Sequence, residues 1–212
     1  ILHLFPRREF FEAVEATRAD RGAKGFSCWE QFVAMMFCQL GQANSLREIC
    51  GGLASCFGKA RHLGIQEAPK RSTLAYANEH RPWQLYEKLF YHLLGRCRQL
   101  EYGKRKFRFK NRLFSLDASL IPLCASLFDW AKYRRTKGAV KLHLLLDHEG
   151  YLPVFARITT GKIHEIRIAR TLNFPAGSIV VVDRGYVDFD LFGSWNRGGV
   201  FFVTRQKGNA HY

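Results

Sequence analysis

The spacing of apolar residues changes halfway along this 212-residue chain, and that change restricts the fold more than any single motif. Residues 1 to about 100 repeat their apolar positions every three or four residues, the period of amphipathic helices. Pro6 is placed to open a helix carrying Phe10, Phe11 and Val14, with its close at Gly22. Ser27 and Glu30 form a capping box ahead of Phe32, Val33, Met36, Phe37 and Leu40, stopping near Gly41. Ser45 and Glu48 repeat the device before Leu46, Ile49, Leu53 and Phe57. Ser72 is expected to cap a short helix over Thr73 to His80. Pro82 is expected to start a longer one with Trp83, Tyr86, Leu89, Phe90, Leu93 and Leu94 on its apolar side.

Beyond residue 112 the period becomes two. Leu113 to Leu123 reads as a strand containing Asp117, and Val140 to Asp147 and Tyr151 to Thr159 as a hairpin joined at Glu149-Gly150. His164 to Leu172 is helical, and Ser178 to Val182 is a continuous apolar run, typical of a strand buried on both faces. It ends at Asp183-Arg184-Gly185. A helical segment at about 187–196 and a strand from Val200 to Thr204 follow. The order β-β-β-α-β-α-β opens a ribonuclease H-like fold. The expected class is α/β: an all-helical N-terminal domain (1–100), a basic linker or edge strand (101–112), and an incomplete ribonuclease H-like mixed-sheet domain (113–212).

Charge narrows the partner. Thirty-three Lys and Arg against eighteen Asp and Glu give +15, which suits a polyanion because cations on phosphates release condensed counterions. Six cysteines without a CxxC pair argue against a zinc knuckle, and in so apolar a chain they read as reduced thiols, hence a cytoplasmic setting. No run reaches the eighteen or so apolar residues of a membrane span. The chain starts at Ile1 and reads as a fragment.

Chemistry is carried by two aspartates. Asp117 lies within LFSLDASLIPL and Asp183 ends SIVVVD. A lone strand Asp is a satisfied core acid or a cap as readily as a catalyst. Two on core strands of one sheet are more telling, because buried carboxylates are costly unless paired or metal-bound. Carboxylates gathered from neighbouring strands repel, and a divalent cation relieves the repulsion. Oxygen-only ligands suit Mg2+ or Mn2+, and two such ions can activate an attacking oxygen and stabilise a leaving one.

The chain resembles transposases of the insertion-sequence-four family over essentially its whole length. LFPRREFFEAV, SCWEQFVAMMFCQL, SLREICGGL and RSTLAYANEHRPW resemble the helical domain of unknown function that precedes the catalytic domain in one branch. LDASLIPLC, FDWAKYRRTKGAVKLHLLLD, ARITTGKIHE, VVDRGYVDFDLF and FFVTRQKGN resemble the DDE catalytic domain. The resemblance implies a metal-dependent transposase. Asp117 and Asp183 are then the first and second catalytic, metal-binding acids. The partners are double-stranded DNA at transposon ends and target DNA, no membrane is involved, and a homodimer in the DNA complex is compatible. The family's third acid, a Glu in a Tyr-Arg-Glu-Lys signature, has no match through Tyr212. The chain is therefore expected to bind DNA and to cut it poorly.

Basic residues supply the expected DNA contacts. Lys104, Arg105 and Lys106 belong to the stretch 101–112, read equally as a charge-protected edge strand or a phosphate-tracking segment. Lys132, Arg134, Arg135, Lys137 and Lys141 fall in an acid-free stretch, Trp130 to Lys141, read as a DNA-facing loop. Lys141 and His143 share one side of a strand and face metal or phosphate, unless His143 is a satisfied sheet histidine. Arg184 and Tyr186 sit beside Asp183, and Arg205 and Lys207 follow the last strand, where the family carries a basic residue near the transposon end. Arg71 precedes a short helix that is a docking element or a bundle helix. His164 and Glu165 read as helix-capping residues. Two other functions stay open: a ribonuclease H-like nuclease that only hydrolyses, and a non-catalytic DNA-binding remnant.

Overall fold

The computed structural model describes residues 2–56, 58–101, 110–123, 132–134 and 137–205, and the side chains of Glu101, Leu123, Lys132 to Arg134 and Lys137 are outside that description. Two compact units emerge, Ile1–Gly95 and Arg96–Tyr212.

The first unit is helical, with α1 (Arg7–Thr17), α2 (Cys28–Leu40), α3 (Leu46–Ser55), α4 (Arg71–His80) and α5 (Gln84–Glu101), whose last residues run into the second unit. Caps set the starts of α2 and α3. The Ser27 hydroxyl accepts from the Glu30 amide while Glu30 accepts from the Ser27 amide. At α3, Ser45 accepts from the Glu48 amide, but the return bond to Glu48 comes from the Asn44 amide. Two expected boundaries move. α1 closes at Thr17, well before Gly22, because Arg18 takes the left-handed conformation (φ 52°) and turns the chain itself. α4 begins at Arg71 without a side-chain cap, so Ser72 lies inside its first turn.

The core of this unit gathers Phe10, Trp29 and Phe32, with Phe10 edge-on to Trp29 at 5.0 Å, together with Ile65, Leu74 and Leu85. On α5 the buried face is Leu85, Leu89 and Leu94. Trp83 precedes the helix and is exposed, out of phase with that face. Buried Gln31 donates to Asn78 Oδ1 (2.7 Å) and accepts from Arg81 (3.0 Å). Arg81 also donates to the carbonyls of Ser27 and Phe26 and stacks over the Phe26 ring.

The second unit is built on a mixed sheet: β1 (Leu113–Leu123), β2 (Lys132–Arg134), β3 (Lys137–Asp147), β4 (Leu152–Thr160), β5 (Ile179–Val182) and β6 (Phe201–Thr204). Its order is β2-β3-β1-β5-β6, with β4 also on β3. β1 runs antiparallel to β3 and parallel to β5, and β5 is parallel to β6. The stretch read as a loop before Lys141 is partly sheet: Lys137 opens β3, and β2 pairs with that start.

One face of the sheet is covered by α6 (Glu165–Ala169) and α7 (Phe189–Arg197), where Phe114, Leu116, Val180 and Val182 pack with Ala169, Leu191, Phe192 and Trp195. β5 is not sealed on both faces as expected: Val180 and Val182 are buried, whereas Ile179 and Val181 are only half-buried. α6 is five residues long, shorter than its apolar pattern, because the Thr171 hydroxyl donates to the Ile168 carbonyl and the chain turns towards Pro175. Among the described residues no helix is long and apolar enough to cross a membrane.

Candidate functional site

β1 and β5 pair in register from Leu113 with Ile179 to Leu116 with Val182. The next residue on each strand is Asp117 and Asp183, so the two aspartates stand abreast at the point where β5 stops. Parallel neighbours in step present side chains to the same face. That face is opposite the one bearing buried Leu116 and Val182. Asp183 keeps extended geometry (φ −77°, ψ 174°) although the ladder has ended. The site lies where β1 has its antiparallel neighbour on one side and parallel neighbours on the other.

Both aspartates are exposed, so the expectation of two buried charges fails. Their proximity is set by strand register and not by burial. Each has one oxygen occupied by a backbone amide: Asp117 Oδ1 accepts from Ala118 (2.7 Å) and Asp183 Oδ1 from Gly185 (2.9 Å). These bonds restrict rotation of both carboxylates. The Asp183 carbonyl takes the Tyr186 amide (3.2 Å) and the Thr204 hydroxyl (3.2 Å), which anchors the turn to β6. A pair of hard oxygen donors on a solvent-accessible face fits a divalent cation of the Mg2+ or Mn2+ type. Among the described residues no group of three His, Cys, Asp or Glu side chains gathers into a metal cage.

Three expected DNA-facing residues are interior groups. Lys141 and His143 share a strand face as period two requires, but it is the helix-covered one, in phase with Leu145. Lys141 donates to Glu165 (2.6 Å) and to the Ile163 carbonyl (2.9 Å), and is only 6% exposed. An ammonium so paired is not offered to a phosphate. His143 is fully buried with Nε2 at 2.9 Å from the Thr159 hydroxyl. Burial and the Lys141 charge hold the imidazole below its ordinary pKa against an opposing pull from Glu165. Tyr186 is 1% exposed and packs in the core with Leu116 and Val182.

Arg71, Arg184 and Arg205 are exposed. Lys104, Arg105, Lys106, Arg135 and Lys207 lie outside the described residues, as do the side chains of Lys132, Arg134 and Lys137. His164 caps α6, accepting from the Ile166 amide at 3.4 Å. Glu165, read as a capping residue, is the partner of Lys141. Burial pushes its carboxyl up, but the hydrogen bond and charge of Lys141 prevail and hold it below the ordinary value. This ion pair joins residues 24 apart and leaves no periodic trace in the sequence. Charge is concentrated in the sheet unit, residues 96–212, which holds 21 of the 33 Lys and Arg but only nine of the 18 acids.

A central β1 with an antiparallel meander on one side and parallel β5 and β6 on the other, crossed by helices, is a ribonuclease H-like unit. Two family models match the chain. Residues 108–212 match the transposase DDE domain, and residues 1–66 match a domain of unknown function, DUF4372. A probable transposase for insertion sequence element IS5377 of Geobacillus stearothermophilus is 25% identical over 138 residues. That alignment takes in 65% of this chain and 36% of the relative, so the chain spans about a third of that protein's length. A structure of piggyBac transposase in a synaptic complex with hairpin DNA aligns over 99% of this chain and 49% of its own, at 10% identity and a TM-score of 0.43. Residues 108–212 thus carry a DDE-type transposase domain, and the chain as a whole is similar to insertion-sequence transposases. The narrower likeness to the insertion-sequence-four family rests on the motifs alone.

Proposed function

We propose that this chain acts on DNA, with Asp117 and Asp183 holding a divalent cation, Mg2+ or Mn2+, for phosphodiester cleavage and strand transfer at transposon ends. The observation that carries this reading is the register of β1 and β5, which sets the two aspartates side by side. Bound there, such a cation supplies Lewis-acid stabilisation to an attacking water or 3′-hydroxyl and to the leaving oxygen. The protein's own part is positional. Asp117 is held by a strand paired on both sides up to that point, and Asp183 by the amide of Gly185 and the anchored turn behind it. The amide-bound oxygen of each leaves the other oxygen for the metal.

Exposed Arg184 follows directly on Asp183 and Arg205 directly on β6, and both are assigned to the DNA backbone. Lys104, Arg105, Lys106, Lys132, Arg134, Arg135, Lys137 and Lys207 add sequence-independent affinity. Arg71, exposed at the start of α4, adds a contact from the helical unit. The proposed partners are double-stranded transposon-end and target DNA. The experiment is a Mn2+ titration followed by electron paramagnetic resonance, alongside salt-dependent binding of a duplex. Mn2+ binding should be lost in Asp117→Asn and in Asp183→Asn, and duplex affinity should fall steeply with salt even without metal. Mn2+ bound equally by all three chains would overturn the cation assignment. A flat salt dependence would overturn the DNA assignment.

A further inference from the structure

Gly185 stands two residues beyond Asp183, inside the single 3-10 turn Arg184–Tyr186. Its amide donates to Asp183 Oδ1 at 2.9 Å, which lays the carboxylate directly over the backbone of residue 185. A Cβ at that position would stand 3.0 Å from Asp183 Oδ1, 3.5 Å from Oδ2 and 3.7 Å from Cγ. Chain neighbours aside, the three nearest atoms thus all belong to the one carboxylate. An approach of 3.0 Å is closer than a side-chain carbon and an oxygen ordinarily keep, so one of them would have to yield by a few tenths of an ångström. The backbone itself does not call for glycine here. Gly177 and Gly199 of the same unit take φ of 81° and 70°, whereas Gly185 lies outside the left-handed region, and an alanine can take the same turn. The turn is also anchored from behind, because the Asp183 carbonyl accepts the Tyr186 amide and the Thr204 hydroxyl, both at 3.2 Å. Contact with a Cβ would therefore be relieved by the carboxylate and not by the turn.

We propose that Gly185 is a positioning residue for the aspartate pair: its missing side chain leaves room for the Asp183 carboxylate to settle on the turn, which fixes that carboxylate for a cation shared with Asp117. The proposal rests on the cation assignment made above. Oxygen ligands of Mg2+ sit at about 2.0–2.1 Å in near-ideal geometry, so a carboxylate displaced by a few tenths of an ångström ligates poorly. Carboxylates that bind metals are themselves held by outer hydrogen bonds, and loss of such a partner weakens metal binding about 10–100-fold. An alanine at position 185 serves the turn but not the ligand.

The test uses Gly185→Ala, which keeps the amide donor and adds one methyl group. Mn2+ affinity by electron paramagnetic resonance should fall about 10-fold, the low end of the range for a lost outer partner, since the amide remains. The melting temperature without metal should stay level or rise, because alanine narrows the unfolded ensemble. A purely structural role for the glycine would lower the melting temperature and leave Mn2+ affinity alone. Gly193→Ala, in α7, brings a Cβ near the Arg197 guanidinium (3.4 Å) and should leave Mn2+ affinity unchanged. An equal loss of affinity there would overturn the proposal. In the unsubstituted chain, the amide resonance of Gly185 should move on addition of Mg2+. Unchanged Mn2+ affinity in Gly185→Ala, while Asp183→Asn loses the ion, overturns the proposal and spares the cation assignment. So does a resonance that stays still while Mg2+ binds. Mn2+ binding untouched by either aspartate substitution overturns both.

Discussion

Both units of the chain bury a tyrosine hydroxyl that finds no hydrogen-bond partner among the described residues, Tyr86 in the helices and Tyr186 against the sheet, but their surroundings differ in charge. Burial lifts Tyr86 to about 12, with the Cys28 thiol adding to the effect and the Arg81 guanidinium opposing it. Tyr186 is pushed up by burial first and then by the charges of Glu165, Asp117 and Asp183. A similar contrast holds for the cations. Arg81 of the helical unit spends its donors on two carbonyls and an amide oxygen, all neutral, and so ties the start of α2 to the end of α4. Lys141 of the sheet unit meets an ionised partner, Glu165. In the helical unit, buried polar groups fasten one element to another. In the sheet unit a buried charge is met by an opposite charge.

The largest effect expected from this contrast is at Lys141. Lys141→Met should strand the Glu165 carboxylate and destabilise the sheet unit by about 3 kcal/mol, the low end of the range for breaking buried pairs, since Glu165 remains partly exposed. The sign with pH is fixed. A carboxyl held below its unfolded value contributes stability above that value and loses it as pH falls through the folded one. The gap between variant and parent should therefore narrow from pH 7 to pH 4, read by hydrogen exchange of the sheet amides. A gap independent of pH would show that packing, not charge, holds Lys141.

Arg81→Ala is the counterpart in the helices. It leaves three acceptors short of a charged donor and should cost about 2 kcal/mol. Because those acceptors do not titrate, the loss should be the same at pH 5 and pH 8, and confined to exchange in α2, α4 and α5. Ser27→Ala comes next, at about 1 kcal/mol, because it removes the hydroxyl that accepts the Glu30 amide at the start of α2. Melting with an unchanged midpoint would mean that water replaces the cap without loss.

The smallest effect is the acid sensitivity of the sheet unit around neutrality. His143 is held below its ordinary pKa, chiefly by burial, so the unfolded chain binds a proton there that the folded one does not. Stability of this unit should fall as pH drops through about 6.5, and His143→Gln should flatten that slope. An identical slope in the variant would assign it to another group.

Local signals carry much of this structure. The capping box at Ser27 and the Ser45 cap are written in neighbouring residues and fix helix starts wherever the core lies. β1 likewise runs from Leu113 to Leu123, the full apolar stretch around Asp117. The misses have tertiary causes. Arg18 ends α1 in a left-handed conformation that Gly22 was better suited to supply, and Trp83 is exposed because the buried face of α5 is phased on Leu85. At the site, two isolated aspartates were visible, and so was the shared face of Lys141 and His143. Which face α6 and α7 would cover was not written locally, so two interior groups read as DNA contacts. Glu165 and Lys141 are too far apart in sequence for any period to join them.

The short ladder between β1 and β5 makes the aspartate pair a matter of parity. One residue added between Ile179 and Asp183 would turn the second carboxylate to the helix-covered side. Two added residues would restore the side but carry the carboxylate about 7 Å along the strand, out of reach of an ion held at about 2.0–2.1 Å. Neither change need disturb Val180 or Val182 in the core, provided the extra residue falls after them. The span from Ile179 to Asp183 thus behaves as a ruler whose length cannot drift.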